Sequence, residues 1–102
     1  MSNLVLSDTA KADLDEIWLY IAEDSPEMAT KFISRILDKC RFLAELPEIG
    51  TLRPDILEGM RSFPLGNYLI FYQPAVEGRI EIARVINAKR DIPAVFREFW
   101  DK

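Results

Sequence analysis

The sequence comprises 102 residues, of which 49% are apolar and 29% charged, with a formal net charge of -4 at pH 7. These values are typical of a globular protein, and we expect residues 1–102 to form one domain with a modest core. The chain has no histidine and one cysteine, Cys40, which we expect to be buried. These counts exclude a Ser/His/Asp or Cys/His catalytic set and a structural zinc site.

The sequence carries no signal for a membrane. No apolar run approaches the roughly 20 residues of a membrane span. The first residues, MSNLVLSDTAKADL, lack the basic and apolar regions of a signal peptide. We therefore expect a cytosolic protein with no membrane partner.

The charges are unevenly distributed along the chain. Residues 1–48 contain five Lys or Arg against ten Asp or Glu, whereas residues 61–90 contain five against two. This asymmetry indicates either an acidic or polyanionic partner for the second half or an attraction between the two halves. The sequence leaves both explanations open.

The front half of the chain predicts a short strand followed by two helices. Residues 3–6 are apolar and partly β-branched, which favours a strand. Apolar residues recur at helical spacing in residues 8–23 and 26–45, and a serine precedes each segment as a helix cap. Two amphipathic helices joined by so few residues predict an antiparallel hairpin. We expect the carboxylates of the first helix, including Asp13, to form a solvated face.

The second half predicts an antiparallel sheet. Residues 47–59 have the prolines and glycines of a loop. Strands are predicted at 61–65 and 68–72, around the turn pair Gly66-Asn67, and at 79–87. The proline within the first of these strands indicates an interruption or an edge position, and the apolar run of the second indicates burial on both faces. The predicted fold class is α+β: an N-terminal strand, an antiparallel helical hairpin packed on a roughly four-stranded, mainly antiparallel sheet, and a short C-terminal helix.

One arginine interrupts the apolar pattern of the last strand. A period of two places Arg84 on the same face as Ile80, Ile82 and Ile86. A guanidinium group in this register either extends to the rim of the sheet, pairs with a carboxylate or faces a ligand. These three interpretations stay open.

The composition favours binding over bond breaking. Arginine holds phosphates and carboxylates well, but it is a poor general base. We therefore expect no catalytic residue, no metal, no cofactor and no small-molecule substrate. The candidate target-binding residues are Arg61, Arg84, Lys89 and Arg90. Aromatic residues that either complete the core or form an exposed patch for a partner are Phe96, Phe99 and Trp100.

Three stretches carry a family resemblance. They are LSDTAKADLDEIWLYIAEDSPEMATKFISRIL, then LAELPEIGTLRPDILEGMRSFPLGNYLIFY with its P-x-x-G and R-x-x-x-x-x-G-x-R patterns, and IEIARVINAKRDIPAVF. In this order they resemble the ParE branch of the ParE/RelE toxin superfamily of bacterial type II toxin–antitoxin systems. The resemblance covers residues 4–96.

The resemblance implies a toxin that a small antitoxin encoded beside it holds inactive. Proteins similar to ParE poison DNA gyrase, so we expect gyrase and a ParD-like antitoxin as partners. The four basic residues would then contact gyrase or its DNA complex, and the C-terminal aromatic residues would contact the antitoxin or the target.

Two alternatives accompany this expectation. RelE-like relatives cut messenger RNA on the ribosome, a reaction that needs a base and an acid. This chain has Asn87 where the family often has histidine, and no tyrosine follows Tyr72. Both departures disfavour a ribosome-dependent endoribonuclease. The other alternative is a non-toxic remnant that keeps only antitoxin binding.

Overall fold

The computed structural model describes residues 3–100, except for the side chains of Phe99 and Trp100. The elements are β1 (Leu4–Leu6), α1 (Asp8–Ala22), α2 (Pro26–Glu45), β2 (Thr51–Leu52), β3 (Arg61–Leu65), β4 (Tyr68–Pro74), β5 (Ile80–Asn87) and α3 (Ile92–Trp100), with a 3-10 turn at Val76–Gly78.

The strands in the described part of the chain form one five-stranded sheet in the order β1-β5-β4-β3-β2. β1 pairs with β5 in parallel, and the remaining pairs are antiparallel. The predicted α+β fold is confirmed. The sheet gains one strand over the prediction because the two-residue strand β2 forms within the segment that was predicted as a loop.

The helical hairpin forms as its serines predict. The Ser7 hydroxyl accepts a hydrogen bond from the Ala10 N–H at 2.9 Å at the start of α1, and Ser25 does the same for Met28 at 3.2 Å in α2. A side-chain hydrogen bond of 3.0 Å, from the Trp18 indole to the Thr30 hydroxyl, joins the two helices. Within residues 3–100, no helix combines the length and apolarity needed to cross a bilayer.

Both faces of the sheet are covered. The core between the hairpin and the sheet contains Ala10, Leu14, Ile17, Ile36, Cys40, Leu43, Ile70, Tyr72, Ile80, Ile82 and Val85. The second core, between the sheet and α3, contains Met60, Phe71, Ile86, Ile92, Val95 and Phe96. The central strand β4 contributes to both cores, as its apolar run predicted.

A bulge interrupts the pairing of β4 with β5. The neighbouring β4 residues Phe71 and Tyr72 pair with Arg84 and Ile82, which leaves Ala83 as an extra residue in β5. A bulge shifts the side-chain alternation of the strand that carries it.

The predicted strict alternation of β5 is therefore wrong beyond Ile82. Ile80, Ile82 and Val85 pack towards the hairpin. Ile86 packs on the other face, towards α3. Arg84 lies at the bulge. The bulge directs the Arg84 side chain to a partner that the sequence pattern did not indicate.

Candidate functional site

The end of the sheet beyond β5 carries two exposed cations, Lys89 and Arg90, which we call the cationic rim. Their backbone is well fixed. The Ala88 N–H donates to the Asn67 carbonyl at 2.8 Å, the Lys89 N–H to the Asn87 side-chain oxygen at 2.9 Å, and the Arg90 N–H to the Asn87 carbonyl at 3.0 Å. The turn therefore presents both side chains from a rigid support.

A cleft of about 170 Å³ opens beside the cationic rim. Its lining mixes acidic, aromatic and amide groups, and Tyr20 in it is 73% exposed. The lining residues are Asp13, Glu16, Ile17, Tyr20, Tyr68, Val85, Ile86, Asn87 and Arg90. Among the residues that the structure describes, no cluster of three or more His, Cys, Asp or Glu is placed to hold a metal.

Arg84 is engaged inside the fold by Asp13. Its Nε and Nη2 atoms each donate to an Asp13 carboxylate oxygen at 2.8 Å, and the Val85 N–H donates to the same carboxylate at 2.9 Å. The side chains of Arg84 and Asp13 are only 14% and 8% exposed. The hydrogen bonds that Arg84 donates to Asp13 raise the pKa of Arg84 above its ordinary value. Of the three interpretations of Arg84, the structure shows pairing with a carboxylate.

The prediction that the carboxylates of α1 are all solvated is wrong for Asp13, which is buried. The signal was present in the sequence. Ala10, Asp13, Leu14 and Ile17 follow the i, i+3, i+4, i+7 spacing of one buried helical face. An aspartate within that stripe predicts a buried carboxylate with a partner.

Asp13 also replaces a missing strand neighbour. β1 pairs with β5 only as far as Leu6 and Ile82, and the chain then turns into α1 after the Ser7 N–H bonds the Ile82 carbonyl at 3.1 Å. Beyond that point, no strand of residues 3–100 lies beside β5 on this side. The Asp13 carboxylate reaches down from α1 and accepts the Val85 N–H there, so the buried backbone donor is satisfied.

Arg61 is also used internally. Its Nη1 atom donates to the Glu48 and Gly50 carbonyls at 3.1 and 2.7 Å. The Tyr72 hydroxyl accepts the Gly50 N–H at 2.8 Å and donates to the Pro47 carbonyl at 2.9 Å. Burial raises the pKa of Tyr72. This network holds the segment 47–50 against the end of the sheet.

The four predicted cations do not form one site. Arg61 pairs with Tyr72, whereas Asn87, beside the cationic rim, pairs with Tyr68. These two ends of β4 are about 13 Å apart at the usual rise of a strand. Target binding by the four residues stays a prediction, and the cationic rim is the part of it that is both exposed and grouped.

The C-terminal aromatic residues divide into two groups. Phe96 is 3% exposed and packs edge to face on Phe71, with ring centroids 5.1 Å apart. It completes the second core. The side chains of Phe99 and Trp100 lie outside the described residues, and their predicted role in binding stays a prediction.

Cys40 has the environment of a core residue. It is fully buried between the hairpin and the sheet, and this burial raises the pKa of its thiol to about 12. A thiol in this state has almost no reactive thiolate near neutral pH.

Comparisons with known proteins identify the family. The family model "ParE toxin of type II toxin-antitoxin system, parDE" matches residues 4–92. This chain belongs to the ParE toxin family. It is 30% identical to Toxin ParE1 of Mycobacterium tuberculosis (strain H37Rv) over 95 residues, which cover 89% of this chain and 94% of that protein. It is 34% identical to Toxin ParE1 of Caulobacter vibrioides over 83 residues, which cover 80% of this chain and 84% of that protein.

A solved structure supports the same assignment. It is described as the chromosomal ParDE TA system from P. aeruginosa, with a TM-score of 0.71 and 26% sequence identity. The match covers 87% of this chain and 98% of that chain. The resemblance drawn from the sequence is confirmed, and the chain is a ParE-type toxin of a type II toxin–antitoxin system.

The R-x-x-x-x-x-G-x-R pattern of this ParE-family chain stabilises the fold. Arg53 holds Asp55 through two hydrogen bonds of 3.1 and 2.9 Å, and its guanidinium carbon lies 5.5 Å from the centre of the Phe71 ring. Gly59 adopts a φ of 86°, a conformation that favours glycine. Arg61, the last residue of the pattern, donates hydrogen bonds to the carbonyls of Glu48 and Gly50. The residues of this pattern are therefore used in contacts within the fold, whereas the side chains of the cationic rim are available to bind a partner.

Proposed function

We propose that this ParE-family toxin poisons DNA gyrase through its cationic rim and is neutralised by a cognate ParD-type antitoxin. Gyrase acts on DNA in the bacterial cytoplasm, so the proposal places the toxin there. Membership of the ParE family supports the proposal, and the gyrase target is the part that experiment has to test.

The observation that carries the proposal is the state of the cationic rim. Among the described residues, neither Lys89 nor Arg90 has an ion-pair partner within 4.0 Å. Both side chains are exposed on a hydrogen-bonded turn, and Arg90 also lines the neighbouring cleft. An acidic protein surface or a DNA phosphate can therefore pair with them without breaking an internal contact.

The same region is poorly suited to cutting RNA. Cleavage by a 2′-hydroxyl needs groups that accept and donate protons. The chain contains no histidine, and the side-chain oxygen of Asn87 is used to accept the Lys89 N–H. Arg84, which could have stabilised a phosphate, is held by Asp13. A binding toxin fits these residues better than a nuclease does.

A direct test uses purified DNA gyrase and plasmid DNA. The toxin is expected to increase the amount of linear DNA recovered after the enzyme is denatured, because a poison traps the cleaved complex. The double substitution Lys89→Ala and Arg90→Ala is expected to lower this effect at least about tenfold, as loss of charged contacts to a partner does. Lys11→Ala, which removes an exposed cation from α1, is the matched control and should keep full activity.

Induced expression in cells separates the alternatives. A DNA-damage response without transcript cleavage supports the proposal. Transcript cleavage by translating ribosomes without DNA damage would reject it in favour of an endoribonuclease. Cells that grow normally while the protein accumulates would also reject it, in favour of a non-toxic remnant that binds the antitoxin.

A further inference from the structure

A second cleft opens at the end of the sheet opposite the cationic rim, where the segment after α2 meets the turn between β4 and β5. Its volume is about 260 Å³. We call it the two-arginine cleft, and it shares no lining residue with the cleft beside the cationic rim. The residues that matter for its chemistry are Arg61, Arg79, Glu48 and an apolar wall of Pro47, Pro74 and Ile80.

The counter-charges of the partly buried arginines set this cleft apart. Residues 3–100 contain four arginines that are partly buried. Two of them, Arg53 and Arg84, are each held by an aspartate. Arg61 and Arg79 have no carboxylate within 4.0 Å among residues 3–100. Both line the same cleft, so two partly buried charges without an internal partner converge on one space.

A shortage of carboxylates does not explain this arrangement. The chain has 17 Asp and Glu against 13 Lys and Arg. A guanidinium group stays charged at any pH that a protein tolerates, and its desolvation is offset only by an anion or by hydrogen-bond acceptors. The two-arginine cleft is therefore best suited to an anion from outside the chain.

Both arginines are held in place for such a ligand. The Nη1 atom of Arg61 donates to the loop carbonyls of Glu48 and Gly50, which leaves its Nε and Nη2 donors unused within the described residues. No buried side-chain nitrogen of those residues lacks a hydrogen-bond partner, so these unused donors are open to solvent. The backbone of Arg79 is fixed by two hydrogen bonds of 3.1 and 2.8 Å within the turn between β4 and β5.

The charge and shape of the cleft indicate the class of anion. A phosphate monoester carries a charge of about -1.5 to -2 at pH 7 and three acceptor oxygens. It therefore matches two guanidinium groups better than a single carboxylate does, and guanidinium groups bind phosphate through paired hydrogen bonds. Pockets for drug-sized ligands have volumes of about 300–1,000 Å³. This cleft is slightly smaller, and its apolar wall can contact the group that the phosphate esterifies.

We propose that the two-arginine cleft binds the phosphate monoester of a small molecule. Arg61 and Arg79 bind the phosphoryl oxygens, and the esterified group packs against Pro47, Pro74 and Ile80. A phosphate between the two arginines connects the segment after α2 to the turn between β4 and β5. The inference depends neither on gyrase as the target nor on the antitoxin.

One carboxylate of the lining gives the proposal a test of sign. Glu48 is exposed and forms no ion pair with either arginine of the cleft. A carboxylate in this position repels a bound anion. Glu48→Gln is therefore expected to tighten phosphate binding about two- to fivefold.

Isothermal titration calorimetry with inorganic phosphate, AMP and adenosine tests the site directly. AMP is expected to bind with a Kd below about 1 mM, more tightly than inorganic phosphate, and adenosine is expected not to bind. Arg79→Ala should weaken AMP binding at least about tenfold, because it removes charge-assisted hydrogen bonds. Arg97→Ala, which removes an exposed arginine of α3 outside the cleft, is the matched control and should change the affinity less than about twofold.

Several results would overturn the proposal. One is an Arg79→Ala variant that melts like the wild type and binds AMP equally well. Another is a wild-type protein that binds neither AMP nor inorganic phosphate at about 10 mM. Succinate that binds as tightly as AMP would replace the phosphate class by a carboxylate class. Inorganic phosphate that binds as tightly as AMP would remove the esterified group from the assignment and leave free phosphate as the ligand.

The cationic rim provides the last control, because its cations can also attract a phosphate. The double substitution Lys89→Ala and Arg90→Ala is expected to leave AMP binding unchanged, since both residues lie at the other end of the sheet. Loss of AMP binding in that variant would place the ligand at the cationic rim and overturn the proposal. Calorimetry measures binding without gyrase, so failure of the gyrase proposal leaves this result intact.

Discussion

The interaction of Asp13 with Arg84 offers the sharpest test of the energetics. Asp13→Ala removes a carboxylate that accepts three hydrogen bonds. It leaves the Arg84 guanidinium, whose side chain is only 14% exposed, without a counter-charge, and the Val85 N–H without an acceptor. Removing one partner of a buried pair costs about 3–5 kcal/mol. Because some water reaches Arg84, we expect a loss near the lower end, about 3 kcal/mol. For a domain of this size, that loss lowers the melting temperature by roughly 12–24 °C.

Urea unfolding followed by circular dichroism measures this loss. Asp15→Ala, on the exposed side of the same helix, is the matched control and should change the free energy of unfolding by less than about 0.5 kcal/mol. Arg84→Met completes a double-mutant cycle. In the Asp13→Ala background it should restore part of the stability, because the unpaired charge is gone.

Two results would refute this reasoning. One is an Asp13→Ala variant that is as stable as the Asp15→Ala control. The other is a coupling energy below about 0.5 kcal/mol in the cycle, the value expected of sites that do not interact. Either result would mean that the pair does not hold α1 to β5, and the buried position of Asp13 would need another explanation.

Two further predictions concern the core. Gly50→Ala should lower the free energy of unfolding by about 1–3 kcal/mol, because an added Cβ would collide with the Tyr72 hydroxyl and lie 2.8 and 2.9 Å from the Tyr72 Cε1 and Cζ atoms. Denaturant unfolding measures this loss, which should be smaller when Gly50→Ala is made in the Tyr72→Phe background. Burial raises the pKa of Cys40 from 9.0 to about 12 and also raises that of Tyr72, so the native state retains protons that the unfolded state releases. The stability from Cys40 is therefore fully present below pH 9 and is lost as the pH rises towards 12, and the stability from Tyr72 is fully present below its ordinary pKa of 10.0 and is lost at higher pH. In a series of unfolding curves at increasing pH, Cys40→Ser should lose less stability at high pH than the wild type. An equally steep loss in both proteins would show that Cys40 does not contribute to it.

Much of the fold could be predicted because its signals are local. Helix caps, 3.6-residue spacing and a glycine-containing turn each involve neighbours within a few positions, so α1, α2 and the β3–β4 hairpin follow from the sequence. β2 was missed because its two residues, Thr51 and Leu52, have no pattern of their own. They are a strand only because β3 lies beside them.

The candidate site was harder to predict, because a charged residue shows its chemistry in the sequence but not its partner. The four cations were grouped as neighbours of one sheet, whereas strand pairing places Arg61 at one end and the cationic rim at the other. The carboxylate that holds Arg84 lies 71 positions away in the chain. No local pattern joins residues at that separation.

The sequence by itself determined the class of fold, the ParE-like motifs and the absence of histidine, because each of these is a matter of residue type and short-range spacing. The tertiary structure alone decided which cations remain available. The bulge at Ala83 and the early end of β1 bring Arg84 to Asp13, while the turn after β5 leaves Lys89 and Arg90 exposed. A buried charge requires a partner and an exposed charge does not, so burial, which only the folded chain defines, separates structural arginines from those that can bind a target.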